Sequence, residues 1–303
     1  MTEYEQPDTL TTASGETRSV GIEIEFADLT SREAAQVIQR ALGGRIEEVT
    51  PHRMNILDTP IGNIRIELDT RFVHSDNPQS EPAILQTGRD ILGKLSQALV
   101  PQELVTDPIP MDRIGEIDQA IEALRDAGAK GTGDNLAYAF GLHLNPQAAS
   151  LQASYLLSIM RAFCALNAKL REDIHPDWTR EMMSWARPYT PEYQALILDP
   201  AYNPDTSTLI ADYVRIQPNR NHDLDMLPIF AHLDPNAIKA KSSLKTVSGR
   251  PAFHYRLPDC RISEPGWNVA PDWNRWLSVE RLAADNNALM GAIRVKRQTL
   301  ATA

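Results

Sequence analysis

Two glutamates alternate with apolar residues in a short stretch near the N-terminus. The stretch reads Gly21-Ile22-Glu23-Ile24-Glu25-Phe26, and its period of two predicts a β-strand with one apolar and one acidic face. Side chains two residues apart on a strand point the same way and lie about 7 Å apart, so Glu23 and Glu25 could serve two neighbouring cations on one polyphosphate. Taken alone, the same pattern also fits a solvated strand face.

Four later stretches show similar alternation and carry more ionisable side chains. Their polar positions include Arg65, Glu67, Asp69, Glu103, His143, His254 and Arg256. If all five strands join one mostly antiparallel sheet, one face packs on the core and the other gathers several carboxylates. Such carboxylates would repel one another. A hard divalent cation resolves the repulsion, and Mg²⁺ fits best because it bridges protein carboxylates to substrate phosphates.

Individual members of this set have structural alternatives. Glu103 precedes a Thr-Asp-Pro turn and could be a strand-end charge. His143 could be a hydrogen-bonded histidine of the sheet. Arg256 could pair structurally with a nearby carboxylate, for which the candidates are Glu67, Asp69 and Asp259.

Helical spacing predicts the elements that hold the strands in place. Thr30 and Glu33 form a capping box before a helix that ends at Gly43. The most hydrophobic helical pattern runs from Leu151 to about Arg171, with Ser150 as its cap, and predicts a core helix. Further helices are expected over Ile84–Leu99, Ile114–Arg125 and about Asp272–Arg297, the last with a weak point at Asn286–Asn287. Recurrent prolines between His175 and Asp234 predict short helices joined by turns.

A basic loop precedes the last predicted strand. Lys239, Lys241 and Lys245 lie near serines and a glycine, which predicts an exposed segment. Lys245 is therefore a candidate for binding a nucleotide phosphate from a lid, and a solvated turn is the alternative interpretation. The aromatic group of Trp267, Trp273 and Trp276 is expected to serve packing rather than ligand binding.

Composition limits the class of protein. The 303 residues carry a net charge of −10 without a long basic run, which disfavours nucleic acid as a partner. No apolar run approaches the roughly 18 to 20 residues that cross a bilayer. The polar residues 1–15 lack the pattern of a secretory signal and are expected to be a disordered tail before a single catalytic domain over residues 16–303. Cys164 and Cys260 lie far apart and fit a reduced cytoplasm.

Other catalytic signatures are missing from the sequence. It has no Gly-x-x-x-x-Gly-Lys-Ser/Thr loop, and Gly131-Thr132-Gly133 lacks the rest of a dinucleotide fingerprint. Neither a cysteine pair nor His-Glu-x-x-His indicates zinc, and no Gly-x-Ser-x-Gly elbow occurs. The acidic strands remain the coherent candidate site.

The chain resembles the amidoligases, a branch of the glutamine synthetase and glutamate–cysteine ligase superfamily. Residues 21–26 resemble the opening strand of that family, Glu103-Leu104-Val105-Thr106-Asp107-Pro108 its second acidic strand, and Gly141-Leu142-His143-Leu144-Asn145 its Gly-x-His strand. Residues 64–72, with Asp69, resemble the stretch between these strands, and Phe253-His254-Tyr255-Arg256 resembles the late strand that ends in arginine. The late strand often reads Glu-x-Arg, so His254 is a departure that puts one metal or substrate contact in doubt.

The resemblance implies a fold and a set of roles. It implies an α+β fold in which a curved, mostly antiparallel sheet forms a funnel with helices on its outer face. Metal binding is implied for Glu23, Glu25 and Glu103, metal or phosphate contact for His143, and contact with the transferred phosphoryl group for Arg256. Asp69 would lie near the substrate amine or metal.

The implied reaction is ATP- and Mg²⁺-dependent amide formation through an acyl phosphate, with small-molecule or peptide carboxylates and amines as substrates. Which acid and which amine react is not readable from the sequence, and a homo-oligomer is compatible with it. Two alternatives stay open: a metal-dependent amide or phosphoester hydrolase, and a non-catalytic binding protein with the same fold.

Overall fold

A mostly antiparallel, open sheet lies at the centre of the computed structural model, which describes residues 2–69, 100–135, 138–177 and 186–302. Within these residues nine strands join in the order β2-β3-β4-β5-β1-β7-β9-β8, and β6 pairs with β1. The strands are β1 (Ser19–Phe26), β2 (Arg45–Thr50), β3 (Arg53–Thr59), β4 (Gly62–Leu68), β5 (Gln102–Thr106), β6 (Ile109–Pro110), β7 (Leu142–Pro146), β8 (Leu224–Asp225) and β9 (His254–Tyr255).

β1 is an interior strand, with β5 on one side and β7 on the other. Its apolar residues Val20, Ile22, Ile24 and Phe26 are fully buried, as period-two alternation requires of a strand with one face on the core. All pairings between the nine strands are antiparallel. The mixed α/β architecture and the antiparallel sheet expected from the sequence are therefore confirmed.

Nine α-helices surround the sheet within the described residues. They are α1 (Ser31–Leu42), α2 (Asp118–Asp126), α3 (Ala153–Ile174), α4 (Pro191–Ile197), α5 (Thr206–Ile216), α6 (Leu227–Leu233), α7 (Pro235–Lys239), α8 (Ala270–Ala284) and α9 (Asn286–Thr302), with short 3₁₀ helices at Met111–Ile117 and Ser242–Leu244. No helix in the described part of the chain is long and apolar enough to cross a membrane.

Two groups of helices cover the apolar face. α1 packs on β3, β4 and α2, whereas α3, α8 and α9 pack on one another. Trp276 of α8 contacts Phe253 and Tyr255 at ring-centroid distances of 5.1 and 5.8 Å, and Phe163 of α3 contacts Tyr255 at 5.8 Å. Trp273 and Trp276 are fully buried, which confirms their packing role. The core behind β9 thus fixes its polar side chains on the opposite face.

The capping box of α1 is confirmed, because the Thr30 hydroxyl accepts from the Glu33 amide and the Glu33 carboxylate accepts from the Thr30 amide. The predicted cap of α3 is wrong. α3 begins at Ala153 after Gln152, and Ser150 Oγ instead accepts from the Gln152 amide at 3.2 Å. Ser150 is bonded within its own loop, as serine side chains often are.

Other boundaries also differ from the expectations. The predicted helix over Ile114–Arg125 is a 3₁₀ turn followed by α2, and the strand predicted around His143 pairs in the sheet over Leu142–Pro146. The C-terminal helix is split at Asp285, directly before the predicted weak point. The short helices of the proline-rich region are confirmed, and the helix predicted over Ile84–Leu99 lies outside the described residues.

The N-terminal segment contacts the helical layer. Tyr4 Oη donates to Asp118 Oδ1 at 2.6 Å, and Trp273 Nε1 donates to the Glu5 carbonyl at 2.9 Å. Arg18, at the start of β1, is fully buried and forms a two-pronged pair with Glu280 of α8 at 2.5 and 3.0 Å. The division into a tail and a single catalytic domain stays a prediction.

Candidate active site

Three glutamates lie side by side across three neighbouring strands. Glu103 of β5 is directly opposite Glu25 of β1 and directly opposite Glu67 of β4. Opposed side chains of an antiparallel pair have their Cβ atoms roughly 5 Å apart, so the three carboxylates form one row. Glu67 is also paired with Arg65 at 2.9 Å and with Arg53 at 3.7 Å, whereas Glu25 and Glu103 are buried. The interior end of the row is therefore the part suited to a cation.

Glu23 is the centre of a second polar group on β1 and β7. Its Oε2 atom lies 3.2 Å from Nδ1 of His143, the residue directly opposite it on β7. Because an ionised carboxylate only accepts, the Nδ1 atom carries the proton of this hydrogen bond. The other oxygen, Oε1, accepts from Asn145 Nδ2 at 3.1 Å and lies 3.5 Å from Arg250 Nη2. Arg250 also donates to Asn145 Oδ1 at 2.6 Å.

His143 also connects the two groups. Its Nε2 atom lies 4.0 Å from Oε1 of Glu25, whose second oxygen accepts from the Gly141 amide at 2.7 Å. The predicted Gly-x-His stretch thus supplies both a ring and a backbone donor to the glutamates of β1. This arrangement follows from the pairing of β7 with β1, which places Glu23 opposite His143.

His254 enters the site from the short strand β9. It is 1% exposed, and its Nε2 atom lies 3.7 Å from Oε2 of Glu23. Its Nδ1 atom lies 3.8 Å from Oδ2 of Asp225, the residue opposite it on β8. Neither ring nitrogen of His254, nor Oδ2 of Asp225, has a hydrogen-bond partner within the described residues. Both distances exceed a normal hydrogen bond, so the ring stands between two carboxylates without bonding to either.

Arg256 follows β9 by one residue and is buried, with 9% of its surface exposed. Its backbone amide donates to the carbonyl of Asp223 at 2.9 Å. The positive charge of the side chain acts on Asp225, His222 and His254. Arg256 therefore lies beside the histidine end of the site, as the alternation of residues 253–257 predicted.

Burial and neighbouring charge set the protonation of the second group. Burial by itself would raise the pKa of Glu23, but His254, the hydrogen bond from His143 and the charge of Arg250 outweigh it and hold that pKa well below its ordinary value. Burial lowers the pKa of His254 well below its ordinary value, and Arg256 adds to the effect against the opposing attraction of Glu23. We therefore treat His254 as neutral at pH 7, with Arg250 and hydrogen bonds keeping Glu23 ionised.

Asp225 shows the opposite shift. Burial raises the pKa of its carboxyl group, and the charges of Arg220 and Arg256 act against this rise. Asp225 is fully buried, and its Oδ1 atom accepts from the Leu227 amide at 2.9 Å. A carboxyl group held in this way is available as a hydrogen-bond partner for the adjacent histidine.

Two sets of side chains could each hold a metal ion. In each set the ligand atoms lie within 4.8 Å of one another; one set is Glu25, Glu103 and His143, and the other is Glu23, His143 and His254. Carboxylate oxygens suit Mg²⁺, and the first set supplies two of them. The structure thus brings together Glu23, Glu25, Glu103 and His143, whose roles as metal or phosphate ligands stay predictions.

Asp69 and Lys245 are the two remaining site residues predicted from the sequence. Asp69 directly follows β4 and is buried, and its amide donates to the Pro101 carbonyl at 2.9 Å. Because side chains alternate along the strand, Asp69 lies on the same face of the sheet as Glu67, two residues away. Lys245 directly follows the 3₁₀ turn at Ser242–Leu244 and is exposed, in agreement with an exposed basic loop. Their proposed catalytic and phosphate-binding roles stay predictions.

Three polar residues of the site received no role from the sequence. Asn145 stands on the polar face of the same strand as His143, and this position was a usable signal. Arg250 and Asp225 had no comparable signal, because one lies in a loop and the other in a two-residue strand. Their proximity to Glu23 and His254 depends on chain folding alone.

Comparison with known proteins identifies the family. A family model with the description "putative amidoligase enzyme" matches residues 16–278. Comparison with curated proteins finds no match, and comparison with solved structures finds none either. The matched range includes all five strands from which the polar face was predicted and the loop that carries Arg250. The chain belongs to this amidoligase family, whose members are described as amide-forming ligases.

Proposed function

We propose that the protein is an ATP- and Mg²⁺-dependent ligase that joins a carboxylate to an amine through an acyl phosphate. The observation that carries the proposal is the meeting of Glu23, Glu25, Glu103 and His143 on one polar face. Membership of the amidoligase family supports the amide-forming class of reaction.

The side chains present fit Mg²⁺ bound to the phosphates of ATP. Glu25 and Glu103 are buried, lie opposite each other and supply hard oxygen ligands. When bound, the ion supplies positive charge that offsets the negative charge of the phosphates. The two carboxylates are adjacent and carry like charges, and a cation between them would offset their mutual repulsion, which supports this use of the row.

The reaction that we propose has two displacements. A carboxylate oxygen of the acid attacks the γ-phosphorus of ATP, the bond to the bridging oxygen breaks and ADP leaves. The amine nitrogen then attacks the acyl carbon, phosphate leaves and the amine loses a proton. Such phosphoryl transfers depend mainly on positioning and charge stabilisation. In this proposal Arg256 would contact the phosphoryl group from the β9 side, and Asp69 would receive the amine.

The proposed fold class is the funnel of the glutamine synthetase and glutamate–cysteine ligase superfamily. The open antiparallel sheet with helices on its apolar face supports it. In this arrangement ATP would lie over the polar face, with Lys245 closing on it from the basic loop. The proposed substrates are small-molecule or peptide acids and amines in the cytoplasm, and a homo-oligomer is compatible with this role.

Hydroxylamine provides a test that does not require the natural amine. It attacks acyl phosphates and gives hydroxamates, so a panel of amino acids and peptides can be screened with ATP, Mg²⁺ and hydroxylamine. We expect a matching acid to give equal amounts of ADP and hydroxamate, and Glu103→Gln or removal of Mg²⁺ to abolish both. Screening amines with the matching acid then identifies the natural pair.

The same assay contains the outcomes that contradict the proposal. Hydrolysis of amides or phosphoesters without ADP formation would favour a metal-dependent hydrolase. Tight ATP binding without turnover of any acid would favour a binding protein. ADP formation that does not depend on the acid would contradict the acyl phosphate step.

A further inference from the structure

We infer that Glu23, His143 and His254 bind a transition metal ion of the imidazole-preferring class, such as Zn²⁺ or Fe²⁺, and that Asp225 positions His254 for it. The inference deepens the proposed function, on which it rests for the separate Mg²⁺ at Glu25 and Glu103. It assigns different ions to the two ligand sets.

The chemistry of the ligands favours a transition metal ion. Two imidazoles and one carboxylate form a set that suits zinc or iron, whereas Mg²⁺ prefers oxygen atoms. A neutral imidazole has one lone pair, so His143 can serve only one of the two sets. Assigning His143 to the set with His254 gives one ion a nitrogen-rich site and leaves Glu25 and Glu103 as oxygen ligands for the other.

The ligand atoms of Glu23, His143 and His254 have a spacing close to that around a tetrahedral ion. With bonds of about 2.1 Å, the ligand atoms of a tetrahedral ion stand about 3.4 Å apart. Glu23 Oε2 lies 3.2 Å from His143 Nδ1 and 3.7 Å from His254 Nε2, values on either side of that distance. Arg250 and Asn145 hold the other oxygen of Glu23, so Oε2 is the one directed at both rings.

His254 would gain a polar partner from a bound ion. It is 1% exposed, and among the described residues neither ring nitrogen has a hydrogen-bond partner, which is a costly state for a buried polar side chain. A metal ion at Nε2 would give this atom a partner. Asp225 would then accept from the opposite nitrogen, Nδ1, which lies 3.8 Å from its Oδ2 atom.

Each histidine has a carboxylate on its far side. His254 has Asp225 beyond Nδ1, and His143 has Glu25 beyond Nε2 at 4.0 Å. Histidines that bind metal ions usually donate their other N–H to a carboxylate or carbonyl, which fixes ring orientation and tautomer. When the ion binds at Nδ1 of His143, the proton there is displaced, and a proton at Nε2 faces Glu25.

Co²⁺ is the probe for the test, because it replaces zinc and iron and reports on its ligands. The full-length protein, freed of metal with a chelator, is titrated with Co²⁺ in the absence of ATP. We expect visible ligand-field absorption that saturates at one equivalent, and displacement of Co²⁺ by Zn²⁺ but not by excess Mg²⁺. Proton NMR in water should show two exchangeable, paramagnetically shifted imidazole N–H signals, one for each histidine.

Variants locate the ion. His254→Glu should weaken Co²⁺ binding relative to Mg²⁺ by at least tenfold, since it replaces a nitrogen ligand by oxygen. Asp225→Asn should weaken Co²⁺ binding by roughly 10- to 100-fold without weakening Mg²⁺ binding or lowering the melting temperature of the metal-free protein. His232→Ala, which removes an exposed histidine of α6, is the matched control and should bind like wild type.

Specific results would overturn the inference. If the NMR spectrum shows one shifted N–H signal or none, His254 does not bind the ion. The same follows if His254→Glu binds Co²⁺ as tightly as wild type does. Loss of Co²⁺ binding in Glu103→Gln would place the ion in the other set. If His254→Glu fails to fold, the NMR signals and the Asp225→Asn and Glu103→Gln variants decide.

The outcome is separable from that of the proposed function. Co²⁺ binding as described, with no hydroxamate formed under any metal, would contradict the ligase and leave the metal site standing. Conversely, the protein could form hydroxamate with Mg²⁺ while its Co²⁺ binding does not depend on His254. That result would contradict the metal site and leave the proposed ligase activity unaffected.

Discussion

Arg256 lies one residue beyond β9, buried beside His254 and Asp225, and its replacement by alanine tests whether it acts on the transferred phosphoryl group. If its guanidinium contacts that group mainly in the transition state, Arg256→Ala should lower kcat far more than it weakens ATP binding. Loss of one such charge-stabilising contact costs about 10²- to 10³-fold in rate, or roughly 3 to 4 kcal/mol.

If Arg256 has only a structural role, its removal should instead lower the free energy of unfolding by a similar amount. Removing one partner of a buried ion pair costs about 3 to 5 kcal/mol of unfolding free energy. At roughly 2 to 4 °C per kcal/mol, the melting temperature would then fall by about 6 to 20 °C. The charge of Arg220 also acts on Asp225, and we therefore expect Arg256→Ala to cost less stability than this.

The assay combines melting temperature, ATP affinity and hydroxamate formation on three variants. Arg256→Lys should recover little activity, because a point charge cannot reproduce the planar two-pronged contact of a guanidinium group. Arg220→Ala is the matched control, since it removes a second cation whose charge acts on the same aspartate. If Arg256→Ala melts like wild type and turns over at a near wild-type rate, Arg256 has no part in the chemistry. If the two alanine variants lose stability and activity in parallel, its role is to support Asp225.

Three further predictions concern the acidic row and the helical layer. Glu23→Gln combined with Glu25→Gln should abolish Mg²⁺-dependent ATP binding measured by calorimetry, and ATP binding in EDTA that the double variant leaves unchanged would contradict the metal assignment. Glu103→Gln should weaken Mg²⁺ binding and keep the circular dichroism spectrum, whereas loss of folding would show that Glu103 is structural. Burial raises the pKa of Asp272 to about 6, against the opposing effect of Arg275. The folded state therefore binds more protons between about pH 4 and 6, and unfolding free energy falls as pH rises through that window. The unfolding free energy of Asp272→Asn should not show this fall. Relative to wild type, it should rise by up to about 3 kcal/mol between pH 4 and 7, as measured by urea titration. Equal pH profiles for the two proteins would refute the pKa shift.

The local pattern of the sequence was enough to predict the individual strands that carry the acidic residues. Alternation at residues 21–26 and 102–106 predicted β1 and β5, because a strand with one face on the core must alternate. The capping box of α1 was equally readable, since both of its hydrogen bonds join residues three apart. The polar face was predictable for the same reason.

Where the sequence pattern was weaker or shorter, the predicted element was wrong or no element was predicted. β2 is mostly exposed and lacks an apolar alternation, and the hairpin of β2 and β3 was not predicted. Ser150 had the right side chain for a cap, but the helix starts three residues later. β9 pairs over only two residues, although the alternation in the sequence runs over residues 253–257.

Tertiary structure alone decided which side chains meet. The order β5-β1-β7 places Glu25 opposite Glu103 and Glu23 opposite His143, and a shift of one residue in either pairing would turn these side chains to the other face. Strand order and register are set by contacts between residues far apart in the sequence, such as Asn145 with Glu23, which are 122 positions apart, and local periodicity does not reveal such contacts. For the same reason Arg250 and Asp225 became recognisable only in the folded chain, where a loop and a two-residue strand bring them to Glu23 and His254.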